Sequence, residues 1–181
     1  RNRGTIGGDI AHGDPGNDHP ALAMAIDATF VLEGPGGRRT VAASDFFFGT
    51  YMTALAENEV LCEIHAPAFP DGTGYAYEKL KRKTGDWATA GCAVVMRKNG
   101  DSISHIRITL TNVAPTALRA HEAEAALLGK SLDAANIAAA ASAAAAICDP
   151  AEDLRGDVEY KTAMASEMVK RALKAAAARC A

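Results

Sequence analysis

Two adjacent glycines behind a threonine, in Thr5-Ile6-Gly7-Gly8-Asp9, lead into a run crowded with His12, Asp14, Asp18 and His19 before an apolar segment opens at Pro20. Residues of these types at this spacing offer two chemistries. The first is anion binding. Thr5 carries a hydroxyl, Gly7 and Gly8 let the main chain approach an anion with no Cβ in the way, and a helix opening near Pro20 aims unpaired N–H groups back at the loop. A loop cradles a pyrophosphate in this manner, although the stretch is neither G-x-G-x-x-G after a strand nor a lysine-bearing phosphate loop. The second is metal binding by two imidazoles and two carboxylates. Spacing stands against it: the two histidines are not four apart on a helix, and Asp14-Pro15-Gly16-Asn17 reads as a turn with an Asx cap.

Nucleophilic catalysis has no comparable candidate. No G-x-S-x-G occurs, and each of Cys62, Cys92, Cys148 and Cys180 reads as a small buried apolar side chain. A basic cluster that includes Lys79, Lys81 and Arg82 runs up to Trp87, the chain's one tryptophan. It is either a solvated strand end or a place where a cation faces an anionic cofactor while the indole packs on an aromatic ring, and spacing does not choose between them.

The elements that must position these residues read as α+β. A helical apolar pattern starts near Pro20, a strand follows over 28–33, and Gly34-Pro35-Gly36-Gly37 turns the chain into a return strand over 39–42. Another strand lies in EVLCEIHAPAF before Pro67 and Pro70 stop it. A meander of three strands is predicted over 74–80, 88–97 and 103–112, with Asn99-Gly100 as the hairpin signal between the last two. The remainder turns alanine-rich through TALRAHEAEAALLG, DAANIAAAASAAAAICD and VEYKTAMASEMVKRALKAAAARCA, and these read as helices. Two modules result, with a seam near residues 70–74.

Bulk properties narrow the function. The 181 residues are 49% hydrophobic, ample for a packed core, and a net charge of −3 leaves no basic footprint for nucleic acid. No apolar stretch approaches the roughly 20 residues that a membrane span needs. The four cysteines form no C-x-x-C pair, as expected of reduced thiols in a cytoplasmic protein.

RNRGTIGGDIAHGDPGNDHPA, RRTVAASDFFFGTYMTAL, EVLCEI, RKTGDWATAG, LTNVAPTALRAHEAEAALLG and DLRGDVEYKTAM follow one another along the chain. In that order they resemble the FAD-binding medium subunits of the xanthine dehydrogenase family, above all those of the aerobic molybdenum carbon monoxide dehydrogenases. The resemblance implies part of a vanillyl-alcohol-oxidase/PCMH-type FAD-binding domain over residues 1–72, the second FAD-binding subdomain. A C-terminal domain over 73–181 follows, a three-stranded antiparallel sheet with a helical bundle. It also implies an oxidoreductase subunit that holds FAD and passes electrons to a quinone-type acceptor. Partner subunits would carry the rest: [2Fe–2S] clusters in a small one, the molybdenum cofactor in a large one, assembled as a dimer of heterotrimers. The expected location is cytoplasmic, with room for peripheral association at the inner face of the membrane.

Carried over by position, Thr5, Ile6, Gly7 and Gly8 match the T-[IL]-G-G motif that meets the FAD phosphates. Asp9 follows it, and Asp18 matches the acidic residue that binds the sugar or ribityl part. Leu61, Lys79 and Trp87 fall where family members place side chains near the isoalloxazine ring, while His12 and His19 receive no role. In the family another subdomain with a first glycine-rich motif comes before this point, and Arg1-Asn2-Arg3 reads as mid-chain, so a piece of a longer chain is expected. Two other readings stay open: the FAD subunit of a hydroxylase for an aromatic heterocycle or acyl-CoA, and a non-catalytic docking module. A bulky residue at Gly8 is expected to expel cofactor in the flavin readings and to leave a docking module unharmed.

Overall fold

The computed structural model describes residues 3–180. Arg1 and Asn2, which open the stretch read as mid-chain, and Ala181 lie outside the described residues. The chain starts with two short helices, α1 (Ile6–His12) and α2 (Asp18–Ala25). The hairpin β1 (Thr29–Gly34) and β2 (Gly37–Ala42) follows, then a 3-10 turn over Ala43–Asp45 and a two-stranded ribbon of β3 (Phe47–Gly49) and β4 (Met52–Thr53). With β5 (Val60–His65) the first hairpin makes a three-stranded antiparallel sheet in the order β2-β1-β5. A second antiparallel sheet is built from β6 (Gly74–Leu80), β7 (Ala90–Asn99), β8 (Ser102–Thr111) and β9 (Leu118–Arg119). Three helices complete the fold: α3 (His121–Leu127), α4 (Ala134–Ala145) and α5 (Val158–Ala177).

Three expectations need correction. The glycine pair does not lie in a loop but in the first turn of α1. Each glycine costs a helix roughly 1 kcal/mol relative to alanine, but Thr5 caps the end by accepting from the Gly8 N–H, and Ile10 is buried. The second sheet has four strands, not three. Leu118 and Arg119 lie within a stretch read as helix, and they pair with Leu110 and Thr109 because Arg119 is drawn to Asp27 and Glu124. Two residues are too few to show a period of two. Finally, Cys62 is exposed on the outward face of β5, unlike buried Cys92. Its thiol points at Glu33, and partial desolvation beside that carboxylate raises its pKa.

Burial along β7 is continuous over residues 90–96 because both faces are covered. Cys92, Val94 and Met96 share the core of α4 and α5, with Leu173, Val169 and Ala141 among its members. Ala93 and Val95, one register step away, pack instead on Ala25, with Leu22 alongside. Thr109, buried on the same sheet, donates its hydroxyl to the Ala21 carbonyl at 2.7 Å. Helix α2 of the first module therefore lies on the sheet of the second. That contact brings the chemistry-bearing residues of both together.

Candidate functional site

Asp18, the first residue of α2, sits over the end of β6. Its Oδ1 accepts from the Tyr77 hydroxyl at 2.8 Å and its Oδ2 from the Lys79 ammonium at 2.9 Å. Tyr77 and Lys79 are two apart on β6 and so share a face. The Tyr77 oxygen in turn accepts from the Thr111 hydroxyl at 3.1 Å, which is possible because Gly91 lies between them. A Cβ there would fall 2.9 Å from the phenol oxygen and 3.1 Å from Thr111 Cβ. Burial pushes the Tyr77 phenol well above its ordinary pKa, so it holds its proton as a fixed donor to the carboxylate.

Around this triad a cleft of about 460 Å³ is lined by Gly4, Thr5, Ile6, Asp9, Gly16, Asn17, Asp18, His19, Lys79, Gly85, Asp86 and Trp87. Six of the nine residues read from the sequence meet here: Thr5, Ile6, Asp9, Asp18, Lys79 and Trp87. Gly7, Gly8 and Leu61 do not line it. A Cβ on Gly7 would reach Leu61 Cδ2 at 4.0 Å, so Gly7 backs onto β5, where Leu61 is partly buried in the core of the first module. A Cβ on Gly8 would stand 3.0 Å from Thr5 Oγ1. Bulk at Gly8 therefore disturbs the cap of α1 before it reaches any ligand, which spoils it as a discriminating substitution. Thr5→Ala is the cleaner probe of that turn. It should cost about 1 kcal/mol of local stability, seen as faster hydrogen exchange of the Asp9 and Ile10 amides.

The four residues of the metal reading are engaged separately. His12 packs on Tyr51 at 4.9 Å between ring centres, Asp14 Oδ1 accepts from the Gly16 N–H at 2.8 Å in the expected Asx turn, and His19 Nδ1 donates to Asp9 Oδ2 at 2.7 Å. Asp18 belongs to the Tyr77–Lys79 triad. Every carboxylate lining the cleft is thus matched to a donor: Asp9 to His19, Asp18 to Lys79, and Asp86 to Arg82 at 3.0 Å. Asp18 and Asp86 are thereby offset by a positive charge and Asp9 by a hydrogen bond.

What the cleft can hold follows from its donors. Helix geometry leaves the Ile6 N–H without a carbonyl four residues back inside α1, and a Cβ on Gly4 would meet nothing within 4 Å. The main chain is open to close approach at this point, as a phosphate requires. Asp18 and Asp9 keep acceptor capacity for sugar hydroxyls, since a carboxylate has about four lone-pair sites. Trp87, 51% exposed, offers an aromatic surface. Phosphate, hydroxyl and aromatic contacts in one cleft fit a flavin dinucleotide. Cys92 and Cys148 do not suggest nucleophilic chemistry, since burial pushes Cys148 up to about 11 and Cys92 higher still.

Residues 75–176 match the family model of the CO dehydrogenase flavoprotein C-terminal domain, and residues 1–69 that of the FAD binding domain in molybdopterin dehydrogenase. The chain belongs to the CO dehydrogenase flavoprotein family. It is 73% identical over 181 residues to the carbon monoxide dehydrogenase medium chain of Hydrogenophaga pseudoflava, covering 100% of this chain and 63% of that one. Identity is 50% over 179 residues to the carbon monoxide dehydrogenase medium chain of Afipia carboxidovorans, covering 99% and 62%. In solved structures the fold matches carbon monoxide dehydrogenase from Hydrogenophaga pseudoflava lacking the Mo-pyranopterin moiety of its cofactor. The TM-score is 0.99 at 76% identity, over 100% of this chain and 63% of that chain. This flavoprotein-family chain spans less than two thirds of the relatives' length. The mixed α/β architecture and the family read from the motifs both stand.

Proposed function

We propose that the chain is part of the FAD-binding electron-transfer subunit of a molybdenum hydroxylase, an aerobic carbon monoxide dehydrogenase. That subunit passes electrons from [2Fe–2S] centres by way of FAD to a quinone-type acceptor. The observation that carries the reading is the convergence of Thr5, Ile6, Asp9, Asp18, Lys79 and Trp87 on one cleft, in a chain whose first 69 residues match an FAD binding domain. Bound flavin supplies the exchange between one- and two-electron transfer. The free Ile6 N–H and the Thr5 hydroxyl would meet its phosphates, Asp18 would take a sugar or ribityl hydroxyl, Lys79 and half-buried Tyr77 fix that carboxylate, and Trp87 walls the ring side. Gly7, Gly8 and Leu61 act from behind, by shaping α1 and the strand it packs on.

Residues 1–72 form the second FAD-binding subdomain and 73–181 the C-terminal domain, in keeping with the break between the two family matches. The partners are a large molybdenum-cofactor subunit and a small iron–sulfur subunit, as a dimer of heterotrimers. No helix among the described residues is long and apolar enough to cross a membrane. We place the complex in the cytoplasm, with peripheral association at the inner face of the membrane.

The test is anaerobic addition of CO to the native complex. The large subunit's chemistry, CO + H2O giving CO2, two protons and two electrons, should bleach the visible flavin band, and a quinone analogue should restore it. Bleaching by an aromatic heterocycle or an acyl-CoA instead of CO would move the protein to another hydroxylase of the same family. A flavin that no such substrate reduces would overturn the electron-transfer role.

A further inference from the structure

Trp87 is a partition. On one side it lines the flavin cleft; on the other, with Gly16, it lines a second hollow of about 260 Å³ together with Asp14, Tyr51, Asn112, Asp153 and Arg155. Its edge is fixed by Asn17, whose Oδ1 accepts from Nε1 at 3.3 Å, and its main-chain N–H donates to Asp86 Oδ1 at 2.9 Å. On the hollow side the Arg155 guanidinium stands 5.7 Å from the ring centre. Arg155 comes from the loop between α4 and α5, in the C-terminal module. Two carboxylates hold it: Asp86 Oδ1 at 3.2 Å from Nη2 and Asp153 Oδ2 at 3.3 Å from Nη1.

We propose that Arg155 is a positioning residue for the flavin site, holding the Trp87 indole as a wall of the cleft and keeping it from turning into the hollow behind. The proposal rests on the flavin reading of the cleft. Loop anchoring alone does not account for this arginine, because Lys161 already ties the same loop down. Its ammonium is buried, 2.8 Å from Asp153 Oδ1, and it also donates to the Ala151 carbonyl at 2.6 Å. Lys161 makes no stacking contact with Trp87. Arg155 does, and it keeps its place even though its buried Nε has no hydrogen-bond partner. A planar guanidinium presents separate nitrogens to two carboxylates while its flat face lies against an indole; an ammonium has no flat face to stack. Asp86 completes the clamp. Arg155 and then Arg82 hold its carboxyl below the usual aspartate range, so it stays ionised at neutral pH.

The test uses the full-length protein in its native complex, with Arg155→Lys and Asp153→Asn. The second variant loosens the guanidinium from behind and touches neither Trp87 nor the cleft. Trp87 emission is obtained as the difference from Trp87→Phe, and its acrylamide quenching is compared with flavin retained on dilution. Arg155→Lys should keep the unsubstituted unfolding midpoint within a few degrees, while Asp153→Asn, which also takes the carboxylate from buried Lys161, should lower it and is compared below its own midpoint. In both, quenching of Trp87 should rise, and Arg155→Lys should retain flavin about fivefold less tightly, the equivalent of one lost cation–π contact. If Arg155→Lys and Asp153→Asn fold, carry flavin and leave both Trp87 quenching and flavin retention unchanged, Arg155 does not position the indole. Absence of flavin from the unsubstituted complex would overturn the cofactor reading itself, whatever Trp87 does.

Discussion

Asp18→Ala should strip most of the flavin from the protein while leaving it folded. The carboxylate holds the half-buried Tyr77 hydroxyl and the largely covered Lys79 ammonium in one arrangement, and it is the acceptor assigned to a cofactor hydroxyl. Losing a charged hydrogen bond to the ligand is worth about 1.5–3 kcal/mol, or about 10- to 100-fold in retention. The cost to the fold is smaller, about 1 kcal/mol, because the pair is partly open to water. Asp18→Asn separates the two effects. It keeps an acceptor for Tyr77 but removes the charge facing Lys79, and should fall between the alanine variant and the unsubstituted protein when FAD is measured by equilibrium dialysis.

Gly74→Ala should damage the fold and not the site directly. Gly74 is buried at the start of β6, where the last turn of α5 crosses it. A Cβ would land on the Ala176 carbonyl oxygen, 2.6 Å from Cys180 Sγ and 2.9 Å from the Cys180 amide nitrogen. Two of these three atoms are main chain and have little freedom to yield, so the end of α5 must lift from the sheet. Overpacking of this kind costs about 3 kcal/mol, or an unfolding midpoint lower by about 5–10 °C in a thermal melt. Gly36→Ala is the control. Nothing lies within 4 Å of its Cβ position, and it should change stability by less than about 0.5 kcal/mol.

How far the sequence carried this account depended on the reach of each interaction. The hairpins at 34–37 and 99–100 were legible because a turn of two or so residues needs glycine or asparagine, and β6 emerged with its observed bounds, Gly74–Leu80. Helix α1 was hidden by its own glycines, since propensity argues against them while the Thr5 cap and burial of Ile10 win. Strand β9 is held by arginine pairs to residues 92 and 5 positions away, which leave no local period to read.

In the site, Asp18 and Lys79 were named by resemblance, but that they hold each other was not. Tyr77 had a usable signal, its place two residues before Lys79 on a predicted strand. Arg155 had none. Its partner Asp86 is 69 residues away, and a loop arginine between two alanine-rich helices looks like any solvated charge.

In the proposed reading Thr5, Ile6, Asp9, Asp18, Lys79 and Trp87 form one wall of a flavin site. The most direct measurement is the FAD-to-protein ratio of the full-length subunit in its native complex, with the cofactor released by heat and quantified by its fluorescence. Close to one FAD per chain is expected, lost on dilution when Asp18 is replaced by alanine. A folded, full-length subunit without flavin, or one whose flavin is indifferent to Asp18→Ala, would contradict it.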